Sequence, residues 1–140
     1  MGRRQAREAA LQTMFQIDIG RVGPEAALAH VHSEAGLKAE DLQFARELVM
    51  GTIEHLSGLD AVITRLSRDW RLDRLAAVDR NLMRLALFEI FYRDDIPSGV
   101  SVNEAVELAK AFGGPESGRF INGILGRVVK DPAAYNPAGT

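Results

Sequence analysis

Apolar residues recur at the three- and four-residue spacing of helices along most of this 140-residue chain. The most apolar stretch extends from Leu82 to Phe91, where eight of ten residues are apolar and only Arg84 and Glu89 interrupt the run. A helix that is apolar on nearly every side must be surrounded by other helices, and this run is too short to span a bilayer. We therefore predict a buried central helix that begins near Leu75.

Two more helices are predicted after the central one. The central helix ends at Ile96-Pro97-Ser98-Gly99, because a proline disfavours helical geometry in the preceding residue. Ser101 and Glu104 have the spacing of a capping box, which predicts that the next helix starts at Ser101. Gly113-Gly114 ends that helix, and Pro115 suits the first turn of the last one.

The last helix has two unlike sides. Its apolar side consists of Phe120, Ile121, Ile124, Leu125, Val128 and Val129. Its basic side consists of Arg119, Asn122, Gly123, Gly126, Arg127 and Lys130. A glycine inside a helix costs ~1 kcal/mol relative to alanine. Two glycines on the basic side therefore indicate that some other group approaches the helix backbone closely there.

The first seventy residues predict four further helices, and no stretch alternates as a strand would. Trp70, in the connector that follows, is predicted to fill the core between two helical layers. The fold class is therefore all-α, with six or seven helices. We expect a division near Trp70 into two small sub-bundles, over 1–70 and 71–131, and a tail over 132–140 that frays. The four helices are predicted over about 3–19, 24–36, 39–56 and 57–66.

The first helix combines arginines and an aromatic residue on one ridge. Small residues (Ala6, Ala9, Ala10, Thr13 and Ile17) form its inner stripe, whereas Leu11 and Phe15 project on the same side as Arg4 and Glu8. Single-stranded RNA is bound by this combination, since bases stack on aromatic rings and arginines neutralise phosphates. The pattern leaves open the alternative that Leu11 and Phe15 pack against a second layer of helices.

Composition and charge narrow the class of protein. The 46% apolar and 26% charged fractions are typical of one globular domain. The net charge of −2 argues against indiscriminate coating of nucleic acid. The charge is uneven, however: residues 1–7 carry three arginines and no acid, whereas 94–116 carry five acids and one lysine. A basic end of this kind can bind nucleic acid locally.

No catalytic or metal-binding constellation is present in the sequence. Cysteine is absent, and the phosphate-binding, nucleophile-elbow and zinc-protease motifs are missing. His30 and His32 are two residues apart and point to different sides of a helix, and His55 is predicted to be solvated. We therefore predict a non-enzyme without cofactor or metal. The sequence shows no signal region and no membrane-spanning run, so a cytoplasmic location is expected.

Four segments resemble the NusB family of bacterial transcription antitermination factors. They read RRQAREAALQTMFQ, VDRNLMRLALFEIFYRDDIP, SVNEAVELAKAFGG and SGRFINGIL, and with the spacing between them they extend over nearly the whole chain, from residue 3 to residue 125. The resemblance implies a fold of two three-helix bundles. It also implies binding to the boxA element of ribosomal RNA transcripts together with NusE, a small-subunit ribosomal protein, within an RNA polymerase antitermination complex. A homodimer is a possible state of the free protein.

The resemblance also implies which residues contact RNA. Phe15 stands where relatives often have tyrosine, which keeps the stacking face without the hydroxyl, and Gly126 stands where relatives often have an acid. Asn103-Glu104-Ala105 matches a family motif with capping and packing roles. The predicted RNA-binding residues are Arg3, Arg4, Arg7, Phe15, Arg84, Arg119, Phe120 and Asn122.

The sequence also bears on two other functions. Some RNA cytosine methyltransferases carry a NusB-like domain, but that activity needs a cofactor domain of roughly 200 further residues. Its glycine-rich motifs are missing from this sequence. The alternative that remains is a helical adaptor or homodimer without an RNA role, whose basic face meets an acidic protein.

Overall fold

The computed structural model describes residues 2–67 and 70–137, and within them the chain is helical throughout, without a strand. Seven long helices and one short one confirm the all-α prediction. A 3₁₀ turn, Leu72–Arg74, lies between α4 and α5. None of the described helices is both long and apolar enough to cross a membrane. The α-helices are α1 (Gly2–Asp18), α2 (Pro24–Ala35), α3 (Ala39–Glu54), α4 (Leu56–Leu66), α5 (Ala77–Tyr92), α6 (Ser98–Phe112), α7 (Ser117–Lys130) and α8 (Pro132–Tyr135).

The central helix α5 is buried as predicted. Every residue from Asp79 to Glu89 is buried, and so is Phe91. Five helices pack around it, namely α1, α3, α4, α6 and α7. Leu87 and Met83 are completely enclosed, which places the centre of the hydrophobic core on this helix.

Two groups of helices can be distinguished by their contacts with one another and with α5. Helices α1, α2 and α3 contact one another, and α6 packs closely on α7. Helix α3 crosses α5 at Gly51, where the Phe88 ring lies so close to the backbone that a Cβ atom at position 51 would overlap it. The glycine therefore permits this close crossing.

The predicted capping box at Ser101 and Glu104 is wrong, because tertiary partners take both side chains. Helix α6 begins three residues earlier, at Ser98. Ser101 lies buried in its first turns, and its hydroxyl donates to Oε1 of Glu89 over 2.7 Å. Glu104 accepts two hydrogen bonds from Arg4.

Trp70 was predicted to be a core residue, and this too is wrong. Its side chain is 59% exposed. Leu66 and Leu75, on either side of the connector, are buried instead and supply the apolar contacts at this junction. Trp70 therefore lies at the surface of the molecule, with its indole outside the core.

The C-terminal segment does not fray where the structure describes it. Residues 132–135 form α8, and Tyr135 packs against the hydrophobic core. The Arg65 guanidinium lies 4.8 Å from the centre of the Tyr135 ring and donates to the carbonyl of Ala134. Stacking of an arginine on an aromatic ring stabilises such a segment. The last residues of the predicted tail, 138–140, lie outside the described part.

Candidate nucleic-acid interface

Two cavities are lined by residues of both α1 and α6, and we call the strip of surface along the outer ridge of α1 that includes both of them the groove. At the N-terminal end of α1 is a cavity of about 470 Å³, which we call the basic end of the groove. Arg3, Arg4 and Arg7 line it from one side, and the α5–α6 loop with the start of α6 lines it from the other. Three predicted RNA-binding residues are therefore brought to one place.

Arg4 lies at the surface of the basic end and is held by one carboxylate. Its Nε and Nη2 atoms donate to the two oxygens of Glu104 over 2.9 and 2.7 Å, in the planar bidentate geometry of a strong pair. This hydrogen bond is the main reason that the pKa of Glu104 is lowered and the pKa of Arg4 is raised. The Arg4 side chain remains 48% exposed, so a phosphate can approach it.

Arg3 is the freest cation of the basic end. Its guanidinium carbon lies 4.1 Å from the centre of the Phe44 ring, a cation–π contact that orients the side chain. Within residues 2–67 and 70–137, no carboxylate lies within ion-pair distance of Arg3. Its charge is therefore available to an anion.

Two exposed phenylalanines lie at the other end of the same groove, which we call the aromatic end. Phe15 of α1 is 41% exposed, and Phe112, the last residue of α6, is 46% exposed. Both line a cavity of about 330 Å³, together with Leu11 and Val78 and with the polar side chains of Glu8, Gln12 and Gln16. Exposed rings beside polar groups are suited to stacking on bases.

Leu11 and Phe15, the two apolar residues of the α1 ridge, have different environments. Leu11 is only 4% exposed and belongs to the core, as the packing alternative proposed, whereas Phe15 is at the surface. The helical spacing of Phe112 from Ala105 and Ala109 places it on the apolar stripe of α6, yet the structure exposes its ring. One feature of the sequence points to this exposure. Phe112 is the last residue of α6, directly before Gly113-Gly114, so no further turn of the helix follows to cover the ring.

Arg7 was predicted to contact RNA, but its guanidinium is buried in an ion pair. It donates two hydrogen bonds of 2.9 Å to Glu89, and both side chains are nearly enclosed. The hydroxyl of Ser101 also donates a hydrogen bond to the Glu89 carboxylate. We therefore assign Arg7 a structural role, because its charge is already neutralised inside the protein. The i,i+4 spacing of Glu89 and Arg93 would allow a pair within α5, but Arg93 binds Asp95 and Glu47 instead.

Arg84 requires the same correction. Its Nε and Nη2 atoms donate to Asp60 over 2.7 and 2.9 Å, and its Nη1 donates to Asn81. Asp18 accepts from Arg80, Asn81 and Arg84, so one buried polar network joins α1, α4 and α5. An arginine with every donor group engaged in the interior stabilises the fold and does not reach RNA.

The pKa of Asp18 reflects this network. Partial burial raises the pKa of its carboxyl, but hydrogen bonds from Arg80 and Asn81 and the charges of Arg80 and Arg84 lower it more. The net result is a pKa below its usual value of 3.8. The ionised form is therefore stabilised by the folded protein.

The remaining predicted residues lie on α7, across the short α6–α7 turn from Phe112. Arg119 and Asn122 are exposed, and Phe120 is half-buried against the core. In the described part of the chain, no hydrogen bond, ion pair or ring contact joins these residues to Phe15. The predicted residues of α7 are therefore not linked to Phe15 by a direct contact of these kinds, and Phe112 precedes them in the chain.

The basic side of α7 is open, as its glycines indicated. A Cβ atom built on Gly123 or Gly126 would have no heavy atom within 4 Å beyond the helix backbone. Arg119 has only a long contact of 3.8 Å to Glu116. The surface is therefore accessible to another molecule.

The described residues contain no group of three or more histidines, cysteines and acids placed to hold a metal ion. His55, which was predicted to be solvated, stacks on the Tyr92 ring with centroids 3.9 Å apart. It is a half-buried packing residue at the break between α3 and α4.

Comparison with known proteins agrees with this arrangement of helices. The model of the NusB family matches residues 4–130. The chain is 58% identical over 136 residues to the transcription antitermination protein NusB of Desulforamulus reducens, covering 96% of this chain and 95% of that protein. NusB of T. maritima has a TM-score of 0.87 and 37% identity, covering 97% of this chain and 94% of that one. A crystal structure of the antitermination factors NusB and NusE in complex with dsRNA has a TM-score of 0.85 and 26% identity, covering 92% of this chain and 96% of that one. This chain belongs to the NusB family.

Proposed function

We propose that this chain is an RNA-binding transcription antitermination factor. It binds a boxA-like RNA strand in the groove between α1 and α6, and it does so with NusE in an RNA polymerase antitermination complex. The observation that carries the proposal is the groove itself, with accessible arginines at one end and two exposed phenylalanines at the other. That a similar structure holds NusB, NusE and RNA supports the same class of partners here.

Each end of the groove has its own role. Arg3 and Arg4 neutralise phosphates at the basic end. A phosphate can bind Arg3 without displacing a carboxylate, because the contact of Arg3 is with the Phe44 ring. Bases stack on Phe15 and Phe112 at the aromatic end, which is worth ~1–3 kcal/mol per base. Arg119 and Asn122 are exposed on α7 beyond Phe112, where they contact a strand that leaves the groove.

A protein partner is needed because the groove supplies few free charges. Arg7 and Arg84 are neutralised in the interior, which leaves Arg3, Arg4 and Arg119 of the predicted arginines. Binding through charge alone is weak, with Kd ~10⁻⁴–10⁻⁶ M at physiological salt. NusE raises the affinity by presenting further RNA-binding surface within the same complex.

The test is a pair of matched arginine variants. Arg4 and Arg46 are 48% and 47% exposed, and each makes a bidentate pair with one glutamate. Only Arg4 lies in the groove, so Arg4→Ala weakens binding to a boxA strand and Arg46→Ala does not. The affinities are measured by gel shift with and without NusE.

Equal behaviour of the two variants contradicts an RNA site in the groove. If the isolated chain binds the boxA strand tightly and NusE does not change the affinity, NusE does not contribute to the RNA site. Binding to NusE without any affinity for RNA favours the adaptor function.

A further inference from the structure

Trp70, the only tryptophan of the chain, is the most exposed large apolar residue that the structure describes. It lies on the connector between α4 and α5, at 59% exposure. Arg71 and Arg74, both exposed, follow it within four residues. Tryptophan has a large apolar ring system with one polar N–H group, so an outward-facing indole beside arginines has the chemistry of a binding surface.

The connector is held in place by the buried polar network. The Trp70 amide donates to the carbonyl of Ser67 over 2.9 Å. The carbonyls of Leu72 and Leu75 accept from Nη1 of Arg80, which is buried and ion-paired to Asp18 at the end of α1. Residues 72–75, which follow the indole, are therefore fixed to the core, and fixed neighbours lower the conformational entropy that binding costs.

The connector continues from the aromatic end of the groove. Val78, in the first turn of α5, lines the same cavity as Phe15 and Phe112. Arg74 is only four residues before Val78, so the two Cα atoms are at most ~14 Å apart even in an extended chain. Ile19, one helical turn beyond Phe15 on the same ridge, is also exposed. The connector therefore lies within reach of a strand that passes the two phenylalanines.

We propose that Trp70, Arg71 and Arg74 extend the RNA site beyond the groove. A base outside the segment held between α1 and α6 stacks on the Trp70 indole, and the adjacent phosphates contact the two arginines. This inference rests on the proposed RNA-binding function. RNA fits better than a protein partner, because the exposed Arg71 and Arg74 leave the indole without the apolar surroundings of an interface core. Arg71 also makes an exposed ion pair of 3.2 Å with Asp73, which a phosphate can replace.

The test uses the intrinsic fluorescence of Trp70, which is the only indole and reports directly on stacking. The probes are a boxA strand and the same strand lengthened by uridines at its 5′ end or at its 3′ end. We expect one lengthened strand to bind more tightly than the short one and to quench the fluorescence at saturation.

Substitution of the indole separates stacking from other effects. Trp70→Ala lowers the affinity for that lengthened strand by about fivefold to 150-fold and leaves the affinity for the short strand unchanged. Trp70→Phe, the matched control, keeps a stacking ring and most of the affinity. Both variants melt like the wild type, because the side chain is exposed.

Three results overturn the inference. One is unchanged fluorescence with both lengthened strands at saturation. Another is equal affinity of Trp70→Ala and the wild type for all three strands. The third is a fluorescence change produced by NusE in the absence of RNA, which assigns Trp70 to a protein contact.

The failure of this inference is distinct from that of the proposed function. If Phe15→Ala weakens binding of the short strand while Trp70 gives no signal, the groove stands and only its extension fails. If no strand binds the wild type even with NusE, the proposed function itself fails.

Discussion

Arg7 and Glu89 form a buried, bidentate ion pair, although 82 residues separate them along the chain. The pair joins the first helix to the central one, and the hydroxyl of Ser101 ties α6 to the same carboxylate. Arg4, one helical turn away, makes a pair of the same geometry at the surface. Two similar arginines on one helix therefore have different roles, and the difference can be measured.

Arg7→Ala is expected to destabilise the fold. Removal of one partner from a buried ion pair leaves an uncompensated charge and costs ~3–5 kcal/mol. Thermal and urea unfolding measure the loss. Arg4→Ala is the control, since its pair is exposed and contributes little. A wild-type melting transition for Arg7→Ala would contradict its structural role.

Glu104→Gln is expected to strengthen RNA binding. The substitution removes a carboxylate that occupies Arg4 and repels phosphates in the basic end. One more phosphate contact makes the log–log salt dependence steeper by ~0.7 on a single strand. Glu25→Gln, which frees Arg46 away from the groove, is the matched control and leaves both quantities unchanged. A weaker affinity for Glu104→Gln would mean that its pair orients Arg4 for binding.

Phe15→Ala and Leu11→Ala are expected to have opposite effects. Phe15 is exposed, so its loss lowers RNA affinity by ~1–3 kcal/mol while the melting transition barely moves. Leu11 is buried, so its truncation costs ~2–5 kcal/mol of stability. Melting curves and binding isotherms at low temperature separate the two. Early melting of Phe15→Ala would assign this ring to the core instead.

Stability is expected to fall in acid partly through Asp18. Because its folded-state pKa lies below the usual 3.8, its stabilising contribution is complete above that value. The contribution is lost as the pH falls from 3.8 through the lower folded-state pKa. Asp18→Asn should therefore be less stable than the wild type at neutral pH, and the difference should shrink in acid. A difference that stays constant from neutral to strongly acidic pH would exclude this linkage.

Alanine at two helical glycines is expected to change stability in opposite directions. At Gly123 the surroundings are open, so alanine stabilises the helix by ~1 kcal/mol. At Gly51 the added methyl group overlaps the buried Phe88 ring, and the protein is destabilised. Chemical unfolding of both variants measures the contrast. A drop in affinity for RNA or NusE in Gly123→Ala would further show that a partner touches this face.

Much of the fold could be predicted from the sequence, because helical periodicity is a local property. The apolar run over 82–91 required a buried helix, and α5 is that helix. The two sides of α7 were likewise visible in the spacing of its residues, and its buried positions include Ile121, Ile124, Leu125 and Val128 as expected. The ridge with Arg4 and Phe15 followed from the same angular reasoning.

The environment of each polar or aromatic side chain was decided only by tertiary structure. Arg4 and Arg7 differ by about 60° around α1, and the way this helix lies against α5 and α6 alone exposes one and buries the other. Phe15 and Leu11 differ for the same reason, as do Phe112 at the surface and Phe91 in the core. Spacing determines which residues share a side of a helix. Whether another helix covers that side depends on contacts between residues far apart in the chain. Such contacts cannot be predicted from the local spacing of residues.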